Sequence, residues 1–311
     1  MLRIGLVDCD TSHVVAFTQR LNHVGIAAEQ WVEGARVVAA VPGQSLISPE
    51  RIAGHVEQLR GLGVEIVERP EDLLGRVDAV FIESVDGSVH RERALPFIEA
   101  GLPVFIDKPF TTSAAEAREL VEAAQRRGSF LTSASALRYA REVQDVRRRR
   151  DELGAVLGAD THGPASLHPR NPGLFHYGVH AVEMLYALMG TGCRAVRCVR
   201  EEGVEIVVGR WEGGRLGTVR GTRQGVYAFG FTAFCEKGVV PALIDSRFYY
   251  RELLKEVIGM LERGQWPLSA EELIEPVAFQ EAALASAEQG GAEVSLSEIT
   301  AASHQAGQSA V

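Results

Sequence analysis

Lys108 stands between Asp107 and Pro109, directly after the short apolar run Val104 to Ile106. A lysine held at a strand end by a proline can have its pKa lowered by partial burial, and its ammonium can hydrogen-bond a substrate hydroxyl. The plain alternative is a surface lysine before a turn. A second group lies in one short window, where His162, His168, His176 and His180 fall together. A helix over residues 175–189 turns by about 100° per residue and puts His176, His180 and Glu183 on one face, apart from Val179, Val182, Leu185 and Leu188. This His-x3-His-x2-Glu spacing reads three ways: acid/base residues of a cleft, a structural stripe, or ligands of a divalent metal. The loop ahead of it, His168-Pro169-Arg170-Asn171-Pro172, offers donors suited to a hydroxylated or anionic substrate.

Ligands of open α/β sheets bind beyond the carboxyl ends of the strands, so the residues after each apolar run matter most. After Leu2 to Val7 comes Asp8-Cys9-Asp10-Thr11-Ser12-His13. A dinucleotide fold usually carries G-x-G-x-x-G there, so that backbone amides approach a pyrophosphate. Asp8, Asp10 and His13 occupy the three glycine positions, and two carboxylates would repel that group. Thr11, Ser12 and the helix start still offer hydroxyl and amide donors; the bland reading of Asp10-Thr11-Ser12 is a helix N-cap. The turn after the second strand, Val41 to Ser45, lacks the carboxylate that usually accepts from the adenosine ribose, leaving Gln44 or Ser45 as weak substitutes. Ser84 follows the apolar run Asp78 to Glu83. His90 opens the next helix, either as a surface residue or as part of the ligand cleft.

These residues need elements to position them. Up to about residue 135, continuous apolar runs alternate with helical stretches: strands at 2–7, 36–41, 64–67, 78–83, 104–106 and 130–132, helices at 14–22, 49–62, 90–100 and 112–127. Such runs predict a parallel sheet covered on both faces, a doubly wound α/β unit. Beyond it the pattern changes. Residues 141–153 read as a charged helix, 160–174 as a loop and 175–189 as a helix ending at Gly190. Runs at 195–200, 204–211, 215–222 and 226–235 read as an antiparallel meander. Helices at 247–263 and 271–289 follow, and the last residues look like a frayed tail. The expected domains are 1–137, Rossmann-like, and 138–311, an α+β domain with a mostly antiparallel sheet.

The composition supports this frame. Forty-six per cent hydrophobic residues across 311 positions fit two globular domains rather than a disordered chain. A net charge of −9 disfavours nucleic acid as a partner. No apolar run is long enough to span a bilayer and no signal peptide is visible. With four cysteines and no C-x-x-C pair, the expectation is a reduced, cytoplasmic, soluble protein. The run Arg147 to Arg150, flanked by acids, reads as a solvated helix face, and Cys9 as a small buried residue.

The stretch from Asp78 to Tyr139 resembles the glucose–fructose oxidoreductase/inositol dehydrogenase (Gfo/Idh/MocA) family. The matching features are DAVFIES, His90, the block AGLPVFIDKPF, the helix EARELVEAAQRRG and the segment SALRYA. Asp107-Lys108-Pro109 is similar to the family's Glu-Lys-Pro motif, and GVHAVEML to its second motif, whose last histidine falls on His180. The resemblance implies a Rossmann domain followed by an α/β domain with a large open sheet, whose open face packs a partner subunit as a homodimer or homotetramer. It implies NAD or NADP as cofactor and a sugar-like or polyol substrate. The cofactor would meet Asp8, Asp10, Thr11, Ser12, His13, Ser84, His90 and Lys108. Lys108 would also polarise the reacting hydroxyl, His180 would be the acid/base residue, and Arg138, Arg170, Asn171, His176 and Tyr177 would orient the substrate. The departures are the missing phosphate glycines, the missing ribose carboxylate, and His176 where the family often has Asp. They motivate two rivals: a metal-assisted sugar lyase or isomerase using His176, His180 and Glu183, and a non-catalytic sugar-binding protein on the same fold. The Lys108–Pro109 linkage is expected to be strained or cis.

Overall fold

A computed structural model describes residues 1–300; the expected tail, 301–311, lies outside the described residues. The chain begins with β1 (Leu2–Val7), α1 (His13–Leu21), β2 (Ala35–Val41), α2 (Pro49–Gly61) and β3 (Glu65–Ile66). It continues through β4 (Ala79–Ile82), α3 (His90–Glu99), β5 (Val104–Ile106), α4 (Ala114–Arg127) and β6 (Leu131–Ser133). Next come α5 (Arg141–Arg148), α6 (Arg150–Leu153), β7 (Val156–Pro164) and α7 (Val179–Met189). The strands β8 (Cys193–Glu201), β9 (Val204–Trp211), β10 (Leu216–Thr222), β11 (Gly230–Cys235) and β12 (Gly238–Leu243) follow. The last elements are α8 (Tyr249–Arg263), α9 (Ala270–Glu288) and β13 (Val294–Ser295).

Two compact units form. The first holds Met1–Thr111, Glu119–Ala134 and Tyr250–Ser269; the second holds Thr112–Arg118, Ser135–Tyr249 and the chain from Ala270 onward. The sequence boundary at 137/138 lies close to Ala134, and the segment Tyr250–Ser269 packs with the first unit.

The first unit is a six-stranded parallel sheet of order β3-β2-β1-β4-β5-β6. Its central strands are mostly apolar because both faces are covered: Ile4, Leu6, Val80, Phe81, Ile82, Val104 and Ile106 have no exposed surface. Each such side chain contributes about 1.5–3 kcal/mol of burial. α1 presents Val14, Phe17 and Leu21 to this core at helical spacing. The strand order reverses between β1 and β4, the position where ligands bind in such sheets.

The second unit is a seven-stranded sheet of order β12-β11-β7-β10-β9-β8-β13. It is mostly antiparallel, with β7 and β10 parallel. Two expectations need correction. Residues 160–164 are not loop but the end of β7, whose VLGADTHGP sequence has weak strand propensity and is fixed by partners on both sides, β10 and β11. For the same reason the later strands are not a simple meander: β11 pairs with β7 rather than with β10, and β12, not foreseen, closes the edge.

Candidate active site

In the first unit, the residues after β1, β4 and β5 converge at the switch point. Asp8 leaves β1 with φ +67, a left-handed conformation that aspartate tolerates better than most side chains. Its carboxylate is buried, accepts from Ser84 Oγ at 2.5 Å and lies 3.3 Å from Arg93 Nε. It also fills the space beside Gly43, where a Cβ would come within 1.7 Å of Asp8 Oδ1. The charge expected to repel a pyrophosphate is thus already met by a hydroxyl and a guanidinium.

Asp10, buried too, accepts from the Val85 amide at 3.1 Å. Burial pushes its carboxyl above the ordinary carboxylate range, opposed by hydrogen bonds from Ser45 and Val85. Thr11 Oγ1 accepts from the His13 amide at 3.3 Å, and Ser12, exposed, precedes α1 without a side-chain cap. Cys9 is buried, with its thiol pushed up by burial and the neighbouring carboxylates.

His90 has no exposed surface. Its Nε2 lies 2.8 Å from the Ser84 carbonyl and its Nδ1 2.8 Å from the Pro109 carbonyl, tying the turn after β4 to the turn after β5. The Lys108–Pro109 peptide is cis. Lys108 is 8% exposed, and its Nζ lies 3.7 Å from Asp107 Oδ2. The same oxygen lies 2.8 Å from His13 Nδ1, while His13 Nε2 lies 3.0 Å from the Tyr250 hydroxyl on α8. Asp107 is held well below the usual carboxylate range: His13 and Lys108 outweigh its large burial cost. Glu83, fully buried beside Asp107, is pushed well above that range by burial. Among these, Glu83, Arg93 and Tyr250 were not singled out from the sequence. A carboxylate ending the apolar run DAVFIE was a signal for Glu83; nothing local marks Tyr250. A cleft of about 520 Å³ opens at the ends of β1, β2 and β3, lined by Asp8, Gly43, Gln44, Arg60, Glu68 and Arg93 among others.

In the second unit the histidine window separates. α7 begins at Val179, and a 3-10 turn, Gly173–Phe175, precedes it. His176 therefore lies just ahead of the helix, and His176, His180 and Glu183 each meet different partners. His180 Nδ1 lies 2.7 Å from Ser135 Oγ, its ring set against Tyr177 and Phe229 at centroid distances of 4.8 and 5.5 Å. Glu183 points instead to Arg138, 3.3 Å away, and burial raises its pKa against that guanidinium. The His176 ring lies tilted against that of His168, with centroids 5.3 Å apart. Among the described residues, the His/Cys/Asp/Glu group whose ligand atoms converge is His13, Glu83 and Asp107 rather than the α7 stripe.

Arg138 is 1% exposed and donates to Glu183 and to Glu272 at 3.2 Å. Asn171 is fully buried, Arg170 half-buried, and the Arg170 amide donates to His168 Nδ1 at 3.2 Å. Tyr177 is half-buried, stacked on Phe229 and tilted against Tyr227. The arginine run is a solvated face: Arg149 pairs with Asp145 and Glu152.

Residues 46–135 match the sequence family described as Gfo/Idh/MocA, oxidoreductase family, NAD-binding Rossmann fold. The matched stretch starts beyond the turn at residues 8–13. A 1,5-anhydro-D-fructose reductase from Ensifer adhaerens is 35% identical over 119 residues, which is 36% of this chain and 34% of that protein. An inositol 2-dehydrogenase from Cereibacter sphaeroides is 31% identical over 197 residues, 60% of this chain and 54% of the relative. The chain thus matches about a third to a half of the length of these curated relatives. A probable dehydrogenase from Thermotoga maritima shares the fold at TM-score 0.79 and 20% identity, covering 96% of this chain and 100% of that one. A scyllo-inositol dehydrogenase from Lactobacillus casei, solved with NAD(H) and scyllo-inositol, does so at TM-score 0.77 and 14% identity over 96% and 99% of the two chains. Part of the Rossmann unit is thus similar in sequence to the Gfo/Idh/MocA oxidoreductase family, and the fold of the chain is that of these solved structures.

Proposed function

We propose that the protein is an NAD(P)-dependent oxidoreductase that moves a hydride between nicotinamide and a hydroxyl-bearing carbon of a sugar or polyol-type substrate. The observation that carries this reading is the cleft of about 520 Å³ at the ends of β1, β2 and β3, adjoining the turn that bears Asp8. The altered phosphate turn is compatible with a dinucleotide, because Ser84 and Arg93 already engage Asp8. Gly43, Gln44 and Arg60 would hold the adenosine end, and Thr11, Ser12 and Arg93 the phosphates. Asp8, Asp10 and Ser84 would shape that turn, while His13, His90 and Lys108 would border the nicotinamide end. A bound nicotinamide would supply or accept the hydride.

Lys108 would donate a hydrogen bond to the oxygen of the reacting hydroxyl. His180 would take or return the hydroxyl proton at Nε2, with Nδ1 donating to Ser135 Oγ to fix the tautomer. His176, Tyr177, Arg170 and Asn171 would orient the substrate. The inositol and anhydrofructose substrates named for the relatives indicate its class. The exposed face of the seven-stranded sheet would join subunits into a homodimer or homotetramer.

Titration with NADH and NADPH, followed by nicotinamide fluorescence, tests the reading. Saturable binding of one of them is expected, and Lys108→Ala and His180→Ala should each lower kcat by about 100-fold or more. Binding of neither cofactor would discard the redox reading in favour of a sugar-binding protein. Unchanged turnover in Lys108→Ala would remove that residue from the mechanism.

A further inference from the structure

Three side chains brought together by β1, β4 and β5 present more buried polar atoms than they satisfy. Glu83 is fully buried, Asp107 is 1% exposed and His13 8%. Both Glu83 carboxylate oxygens, Asp107 Oδ2 and His13 Nδ1 lack a hydrogen-bond partner among the described residues. Buried polar atoms are almost always partnered, by protein, water or an ion; His13 Nδ1 and Asp107 Oδ2 face each other at 2.8 Å, so the two Glu83 oxygens beside them are the atoms that most need an occupant. Each residue offers one ligand atom, and these atoms lie within 4.8 Å of one another.

The chemistry of the set narrows the occupant. With the imidazole neutral, Nδ1 and the two carboxylates are all acceptors, and the partner that satisfies them together is a cation. His13 Nδ1 and Asp107 Oδ2 approach to 2.8 Å without the angle of a hydrogen bond. If His13 Nε2 donates to the Tyr250 hydroxyl at 3.0 Å, Nδ1 turns a lone pair toward that carboxylate. A ligating histidine characteristically anchors its second nitrogen on an oxygen in this way. Lys108 Nζ, at 3.7 Å from Asp107 Oδ2, is beyond hydrogen-bond range and leaves Glu83 unsatisfied. Ligands of a tetrahedral ion with bonds of ~2.1 Å stand about 3.4 Å apart, a spacing that small side-chain movements would reach from here.

We infer that His13, Glu83 and Asp107 form a mononuclear site for a divalent metal of the zinc or manganese class, which accept mixed nitrogen and oxygen donors. The ion clamps the start of α1 to the ends of β4 and β5, beside Lys108. It satisfies the Glu83 carboxylate, whose two oxygens have no hydrogen-bond partner among the described residues. The site is separate from the α7 histidines, and its occupation does not depend on the redox reading.

Elemental analysis of protein purified without a polyhistidine tag tests it. About one equivalent of a divalent transition metal per chain is expected, falling to background in Glu83→Gln and in His13→Gln. Stripped wild-type protein should regain Tm on addition of zinc or manganese chloride. Cobalt(II) should give the visible bands of a nitrogen- and oxygen-ligated ion. This readout remains usable if the variants do not fold, and NADH binding is measured separately. Metal retained at wild-type level in a folded Glu83→Gln protein overturns the inference. So does stripped protein that shows neither a Tm shift nor cobalt bands. A protonated-carboxyl infrared band, lost in Glu83→Gln and unmoved by added metal, also overturns it, since a proton would then be the occupant.

Discussion

At the scale of single residues, the clearest departure from a dinucleotide-binding turn is Asp8. A glycine there would use its freedom at positive φ; aspartate adopts the same φ of +67 and uses its carboxylate to bind Ser84 and Arg93. Asp8 and Gly43 are therefore coupled, since Asp8 occupies the volume a Cβ at Gly43 would take. Gly43→Ala should destabilise the protein by about 1–3 kcal/mol, from overpacking and from a side chain at φ +68. The cost should fall in an Asp8→Gly background, where the clash is gone, and urea denaturation of the four proteins measures this coupling. Equal costs in both backgrounds would show that Asp8 does not hold that position. Arg138 teaches a related lesson. The resemblance implies a substrate contact for it, and in the structure its guanidinium pairs with Glu183 and Glu272 in a buried setting.

At the scale of elements, the two sheets differ in how much their sequences reveal. The parallel strands of the first unit are short and mostly apolar, with β4 and β5 continuously so because both faces are buried, and their bounds could be read to within about two residues. β7 is opposite in character: Gly158, Gly163 and Pro164 weaken it, and pairing on both edges supplies what propensity does not. The junction before β8 depends on a distant side chain. Glu275 on α9 accepts from the amides of Gly192 at 2.9 Å and Cys193 at 2.7 Å, anchoring the turn after α7. Glu275→Ala leaves those amides without their acceptor and should cost about 1–3 kcal/mol. Faster hydrogen exchange at Gly192 and Cys193 should accompany it; unchanged protection there would show that the carboxylate is dispensable.

At the scale of the whole molecule, the net charge of −9 conceals a concentration of carboxylates. Asp8, Asp10, Glu83 and Asp107 are all buried in the first unit, near the strand ends. In the second unit, the solvent-facing side of the seven-stranded sheet exposes Val199, Leu216, Phe234, Val239 and Leu243. An apolar face of this kind suits association with another copy. Light scattering should therefore find a mass at least twice the 33.7 kDa chain, and Val199→Glu with Phe234→Glu should shift it toward the monomer. A monomeric wild-type protein would remove the open face from consideration. No helix among the described residues is long and apolar enough to cross a membrane. The sequence by itself determined the doubly wound unit and Lys108 at the end of β5, because alternating buried strands and a strand-terminal Lys-Pro are local patterns. Only the tertiary structure decided that His13, Glu83 and Asp107 meet, that Tyr250 lies against His13, and that His180 meets Ser135 while Glu183 meets Arg138. Those relations depend on strand order and on where a helix starts, which are settled by long-range packing rather than by neighbours in the chain.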